Sequence, residues 1–133
     1  MSIESNKAAV RRFWDTIWVK HDIDKMDEFA HPNVVGNDPH FGTSVESFKE
    51  HFKERLTAFP DVRIDPIEIV SEGDWVATRW VMTGTHKGEY MGVAATGKRV
   101  EVTGMSFDRL EAGKIIEGYD NWDVAGLQEQ LRS

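Results

Sequence analysis

Val10, Phe13, Trp14 and Ile17 recur at i, i+3, i+4 and i+7, which predicts an amphipathic helix over residues 5–19. Ile23, Met26 and Phe29 suggest a shorter second helix. Val45, Phe48, Phe52, Leu56 and Phe59 mark the buried stripe of a helix over 44–58, with Thr43 and Glu46 placed as a capping box. Between these, "NVVGNDPHFG" reads as a short strand running into a turn. After Pro60 the period becomes two. Residues 62–70 alternate, and Pro66 makes them an edge or bulged strand. Residues 74–86 and 98–110 form two further strands. In the latter the apolar parity slips at Gly104, from Val100 and Val102 to Met105 and Phe107, as a β-bulge would produce. "EAG" at 111–113 predicts a tight hairpin into a last strand over 114–122. A short helix then follows, with Asp123 as N-cap and Val124, Leu127 and Leu131 facing inward.

Helices first and a sequential antiparallel meander afterwards imply one α+β domain over residues 1–133, with helices packed on one face of a curved sheet. Such a sheet leaves a concave cavity, the kind of place small molecules occupy.

Composition narrows the function classes. The 133 residues carry a formal charge of −7, and no lysine or arginine run exceeds two. That argues against a nucleic-acid backbone or an anionic membrane as partner. The absence of cysteine removes disulfides, thiolate zinc sites and a cysteine nucleophile. "MSIESNKAAVRRFW" lacks the apolar core of a signal peptide, and no apolar run approaches a membrane span, so a cytoplasmic protein is expected. His21, His31, His51 and His86 show no metal-ligand spacing, and no G-x-S-x-G elbow occurs.

The segments "TGTHKGEYMGVAATGKRV" and "GKIIEGYDNWD" make the chain resemble the SnoaL-like polyketide cyclases, also called predicted ester cyclases. The resemblance spans nearly the whole chain. It implies the cone-shaped α+β fold shared with nuclear transport factor 2, ketosteroid isomerase and limonene epoxide hydrolase. It also implies a homodimer, no metal, no organic cofactor, and a pocket for a small hydrophobic ligand. Cyclases of this type use one aspartate as acid/base in an intramolecular aldol closure, and the matching position is Asp120 in "GYDNWD".

Gly118, Asp120 and Trp122 share one face of the last strand, yet neither face is a clean apolar stripe, so the buried side stays open. Arg79 is a candidate partner for Asp120, either orienting it or polarising a substrate carbonyl. These roles conflict, because a nearby cation weakens a carboxylate as a base. The epoxide hydrolases carry a second carboxylate two residues on, where this chain has Val81, which counts against epoxide hydrolysis. Ketosteroid isomerase would recommend Asp38, just before Pro39, but needs a tyrosine on the first helix and a protonated aspartate on the third strand. The first helix offers Phe13, Trp14 and Trp18, and the third-strand position is roughly Ser106. Asp38 is then better read as turn chemistry. Ser106 also stands where the cyclases carry an assisting histidine. Asn37 and His40 are candidate polar wall groups, and Trp14, Phe52 and Trp122 candidate aromatic ones. Asp123 reads as a helix cap.

Two classes of function survive. One is an enzyme using Asp120 on an apolar, carbonyl-bearing molecule by cyclisation, isomerisation or hydration. The other is a non-catalytic binding or dimerisation module. A catalytic Asp120 should be buried, within hydrogen-bonding reach of a polar group, beside space for a ligand.

Overall fold

A computed structural model describes residues 2–38, 40 and 42–133. Helix α1 (Ile3–Phe13) is capped by Ser2, whose side chain accepts from Ser5 N. It runs into a π-helical turn, Trp14–Val19. The wider turn lets Trp14, Ile17 and Trp18 all bury beside the α1 stripe of Ala9, Val10 and Phe13. A 3-10 turn (Ile23–Glu28) leads to strand β1 (Ala30–Gly36) and then helix α2 (Val45–Ala58). The α2 capping box uses Ser44 and Ser47 rather than Thr43 and Glu46. Strands β2 (Arg63–Glu72), β3 (Trp75–Thr85), β4 (Arg99–Glu111) and β5 (Lys114–Trp122) follow. Helix α3 (Val124–Arg132) closes the chain, and Asp123 caps it by accepting from Gly126 N at 2.9 Å.

The five strands form one sheet in the order β1-β5-β4-β3-β2, antiparallel except for the parallel β1–β5 pair. This is the expected α+β architecture, a meander with the N-terminal helices on its inner face. Pro66 lies on the edge strand β2 beside a register shift, so it costs no ladder bond at the sheet's centre. Ala112 and Gly113 both take positive φ in the hairpin between β4 and β5.

The expected bulge at Gly104 is absent: β3 and β4 pair in continuous register across it. Val100, Val102, Gly104, Ser106, Asp108 and Leu110 all point inward, while Met105 and Phe107 are 60% and 47% exposed on the outer face. Gly104 stays in phase because the buried Trp80 ring lies against it; an added Cβ would come within 2.3 Å of that ring. The irregularity sits on β5 instead. Arg109 pairs with Glu117 and Leu110 with Ile115, leaving Ile116 as the extra residue. That extra residue moves the inward phase from Ile115 to Gly118, Asp120 and Trp122.

Across the outer face, Trp75 stacks on Phe107 at 4.5 Å, with Tyr119, Met105 and Val70 also exposed. Among the described residues no helix is long and apolar enough to cross a membrane.

Candidate functional site

The cavity lies between the helices and the inner face of β1, β4 and β5. Phe13, Trp14, Trp18, Met26, Val34, Val45, Phe48 and Ile115 make its apolar walls. Ser106, Asp108 and Asp120 give it one polar wall, all on the sheet side. About 80 Å³ is open to the centres of water-sized molecules, within about 660 Å³ of non-protein space that includes the mouth. A ligand of several rings would therefore fill the interior and extend through the mouth.

Cross-strand register builds the polar wall. Ser106 stands opposite Asp120, and Asp108 opposite Gly118, so the two carboxyls are diagonal neighbours on one face. The Ser106 hydroxyl accepts from the indole N–H of Trp80 at 2.9 Å and donates to Asp120 Oδ1 in a short hydrogen bond. Trp80 thus fixes which way the serine proton points. Burial raises the pKa of Asp120, donation from Ser106 lowers it, the charge of Asp38 raises it and Arg55 lowers it; together they push it up to about 6. Asp108, 7% exposed, is held well above the usual carboxylate range by burial and then by the charge of Asp120.

A second shelf of polar groups flanks Asp120. Asp38, 5% exposed, accepts from Trp122 Nε1 at 3.0 Å and from His40 N at 2.8 Å. Arg55 is buried on α2. It donates to the His40 carbonyl at 2.9 Å and to the Tyr90 hydroxyl at 2.7 Å, and its guanidinium lies over the rings of Trp18, Tyr90 and Trp122.

The sequence-derived residues divide accordingly. Asp120, Ser106 and Trp14 meet at the cavity. Arg79 does not: it faces out from β3 and pairs with Glu68 at 2.9 Å. The cation that acts on Asp120 is Arg55, from the buried face of α2. Phe52 is core, packed on Trp18 and His21 rather than lining the cavity. Asn37 is exposed and donates to the Gly118 carbonyl at 3.1 Å, tying β1 to β5. His40 is partly buried outside the cavity, with its ring edge-on to Trp122. Trp122 serves as the donor to Asp38 and is not a lining residue. Asp38 is more than turn chemistry, since its buried carboxylate acts on Asp120; Pro39 lies outside the described residues. Asp108 and Arg55 are the groups that sequence reasoning misses. Asp108 is in phase with Ser106 two residues on, a signal hidden by the expected bulge.

Three groups that could hold a metal ion do not converge among the described residues. Residues 8–131 match the SnoaL-like polyketide cyclase family. The chain is similar to the aklanonic acid methyl ester cyclase DnrD of Streptomyces peucetius, 27% identical over 78% of this chain and 72% of that protein. It is also similar to the nogalonic acid methyl ester cyclase of Streptomyces nogalater, 26% identical over 81% and 84%. Among solved structures, AclR of Streptomyces galilaeus, for which a hydroxylase role has been suggested, superposes with a TM-score of 0.88 at 29% identity, covering 98% of both chains.

Proposed function

Because this chain belongs to the SnoaL-like polyketide cyclase family, we propose that it catalyses an intramolecular aldol closure of an apolar polyketide, with Asp120 as general acid/base. The observation that carries this reading is Asp120 itself. It stands on the wall of an apolar cavity, held by Ser106, with an affinity for protons matched to near-neutral chemistry. The Asp120 carboxylate takes a proton from carbon alpha to a carbonyl, and the electron pair moves onto that carbonyl's oxygen. The resulting enolate carbon attacks a second carbonyl and forms the ring bond. Asp120 then returns its proton to the new alkoxide, so the base is regenerated and no co-reactant is consumed.

The requirements that separate an enzyme from a carrier support this reading over a non-catalytic module. Asp120 is largely withdrawn from water, is hydrogen-bonded, and borders open space. The hydrogen-bond partner is Ser106, in place of Arg79. Two relatives are named for methyl ester cyclisation, so aklanonic and nogalonic acid methyl esters are suitable probes. Incubation with the protein should yield a cyclised product of unchanged mass. Failure to cyclise either ester would count against the reading.

The reading includes a homodimer in the cytoplasm. A second copy across the outer sheet face would cover the Trp75–Phe107 stack, Met105 and Tyr119, which otherwise stay in water. Sedimentation of Phe107→Glu should then show a shift toward monomer; an unchanged mass would remove this face from the dimer.

A further inference from the structure

The cavity wall holds two carboxyls, and the aldol chemistry uses only one. Their surroundings differ in kind. Asp120 receives a proton donor from Ser106 and lies within the field of the Arg55 cation. Asp108 receives neither: its surroundings supply burial and the charge of Asp120, and no hydrogen-bond donor to it is found among the described residues. A carboxylate without donors or a cation is expensive to bury, and a like charge on the neighbouring strand adds to the cost. Of the two acids, Asp108 is the one that keeps its proton.

Its position is also built. Gly118, directly across on β5, leaves the space the Asp108 carboxyl fills; a Cβ there would come within 2.7 Å of Asp108 Oδ1. Asp108 follows Ser106 in phase along β4, and both line the cavity beside Asp120. A neutral acid so placed aims an O–H donor at the same ligand from which Asp120 removes a proton.

We propose that Asp108 donates a hydrogen bond to the substrate's carbonyl oxygen and to the enolate that forms from it. This rests on the reading of Asp120 as the base, and it assigns the polar wall two opposite tasks. As Asp120 takes the alpha proton, charge builds on an oxygen seated in a largely apolar cavity. A hydrogen bond from a carboxylic acid to an oxyanion is short and strong, and it strengthens as the charge develops. The proton of Asp108 stays on Asp108 throughout. The ligand class is correspondingly narrowed to apolar molecules with an enolisable carbonyl seated against β4 and β5. Cationic ligands would require Asp108 as a carboxylate and are disfavoured.

The test uses 4-nitrophenol, whose coloured phenolate resembles an enolate in charge and delocalisation. It is bound to the Asp120→Asn protein, in which the base is neutral as it is when the enolate exists. Adding Asp108→Leu should weaken phenolate binding at least tenfold, and Asp108→Asn, which keeps a neutral donor, should weaken it less. Infrared spectra of the Asp108-containing protein near neutral pH should show a protonated carboxyl C=O stretch that both substitutions remove. Unchanged or tighter phenolate binding in Asp108→Leu would overturn the proposal. So would the absence of that infrared band, or binding of benzylamine to wild type that Asp108→Asn abolishes. Phenolate binding does not depend on turnover. Loss of cyclisation would bear on the base, and loss of phenolate binding on Asp108.

Discussion

Replacing Asp120 by asparagine should stabilise the protein while it removes the base. The Asp120 carboxyl, ordinarily near 3.8, is pushed up to about 6 in the folded protein, chiefly by burial. Each tenfold change in proton affinity is worth roughly 1.36 kcal/mol, so ionising Asp120 costs the fold about 2–3 kcal/mol, allowing for the part of the carboxyl that water still reaches. The folded chain binds this proton more tightly than the unfolded chain. The penalty is therefore absent below pH 3.8, grows between pH 3.8 and about 6, and is fully present above that. The substituted asparagine cannot ionise and escapes it. Urea unfolding of wild type and Asp120→Asn at pH 4 and pH 8 isolates the effect, because the packing change is the same at both pH values, titrating groups remote from the cavity are common to both proteins, and the neighbouring Asp108 is held protonated chiefly by its own burial. The variant should gain about 2–3 kcal/mol at pH 8 relative to its position at pH 4. A pH-independent difference, or a variant that loses stability at pH 8, would refute the argument that burial dominates at this carboxyl.

Other substitutions test other links. The pH profile of kcat/KM should rise and level off above about 6 as Asp120 ionises; a profile flat from pH 4 to 8 would contradict the base role. Ser106→Ala removes the donor that lowers Asp120's pKa, so the rise should move to higher pH. Gly104→Ala drives a Cβ into the buried Trp80 ring and should cost about 1–3 kcal/mol, visible as a lowered Tm. Asp123→Ala removes the cap of α3 and should cost about 1 kcal/mol without altering kcat. Arg79→Ala breaks only an exposed pair with Glu68 and should leave kcat and its pH profile unchanged.

The fold was legible where one face is dry and the other wet. The stripes of α1 and α2, the Glu111–Gly113 hairpin and the Asp123 cap follow from periodicity and capping chemistry, and Pro66 marked the edge strand. Reading failed where the sheet lines a cavity or presents an apolar outer surface. On β4 the inward positions Gly104, Ser106 and Asp108 are small or polar because they border the cavity and the Trp80 ring, while the apolar Met105 and Phe107 face out. Apolar-in, polar-out logic inverts there and suggested a bulge that does not exist. The same inversion concealed Asp108. Arg79 is no partner of Asp120 because the face it shares with Trp75 and Val81 is the outer one, where Glu68 pairs with it. Arg55 escaped notice because a cation on the buried side of α2 needs ring partners from distant segments, Tyr90 and Trp122, which helical spacing does not reveal.

The central claim is that Asp120 moves the proton. The most direct measurement is the kcat of the Asp120→Asn protein for whichever of the two methyl esters the wild type cyclises, with folding verified by its urea transition and cavity integrity by 4-nitrophenol binding. A positioned acid/base contributes roughly 10²–10⁴-fold, so kcat should fall at least a hundredfold while the variant stays folded and binds the probe. Turnover within a few fold of wild type would contradict the account.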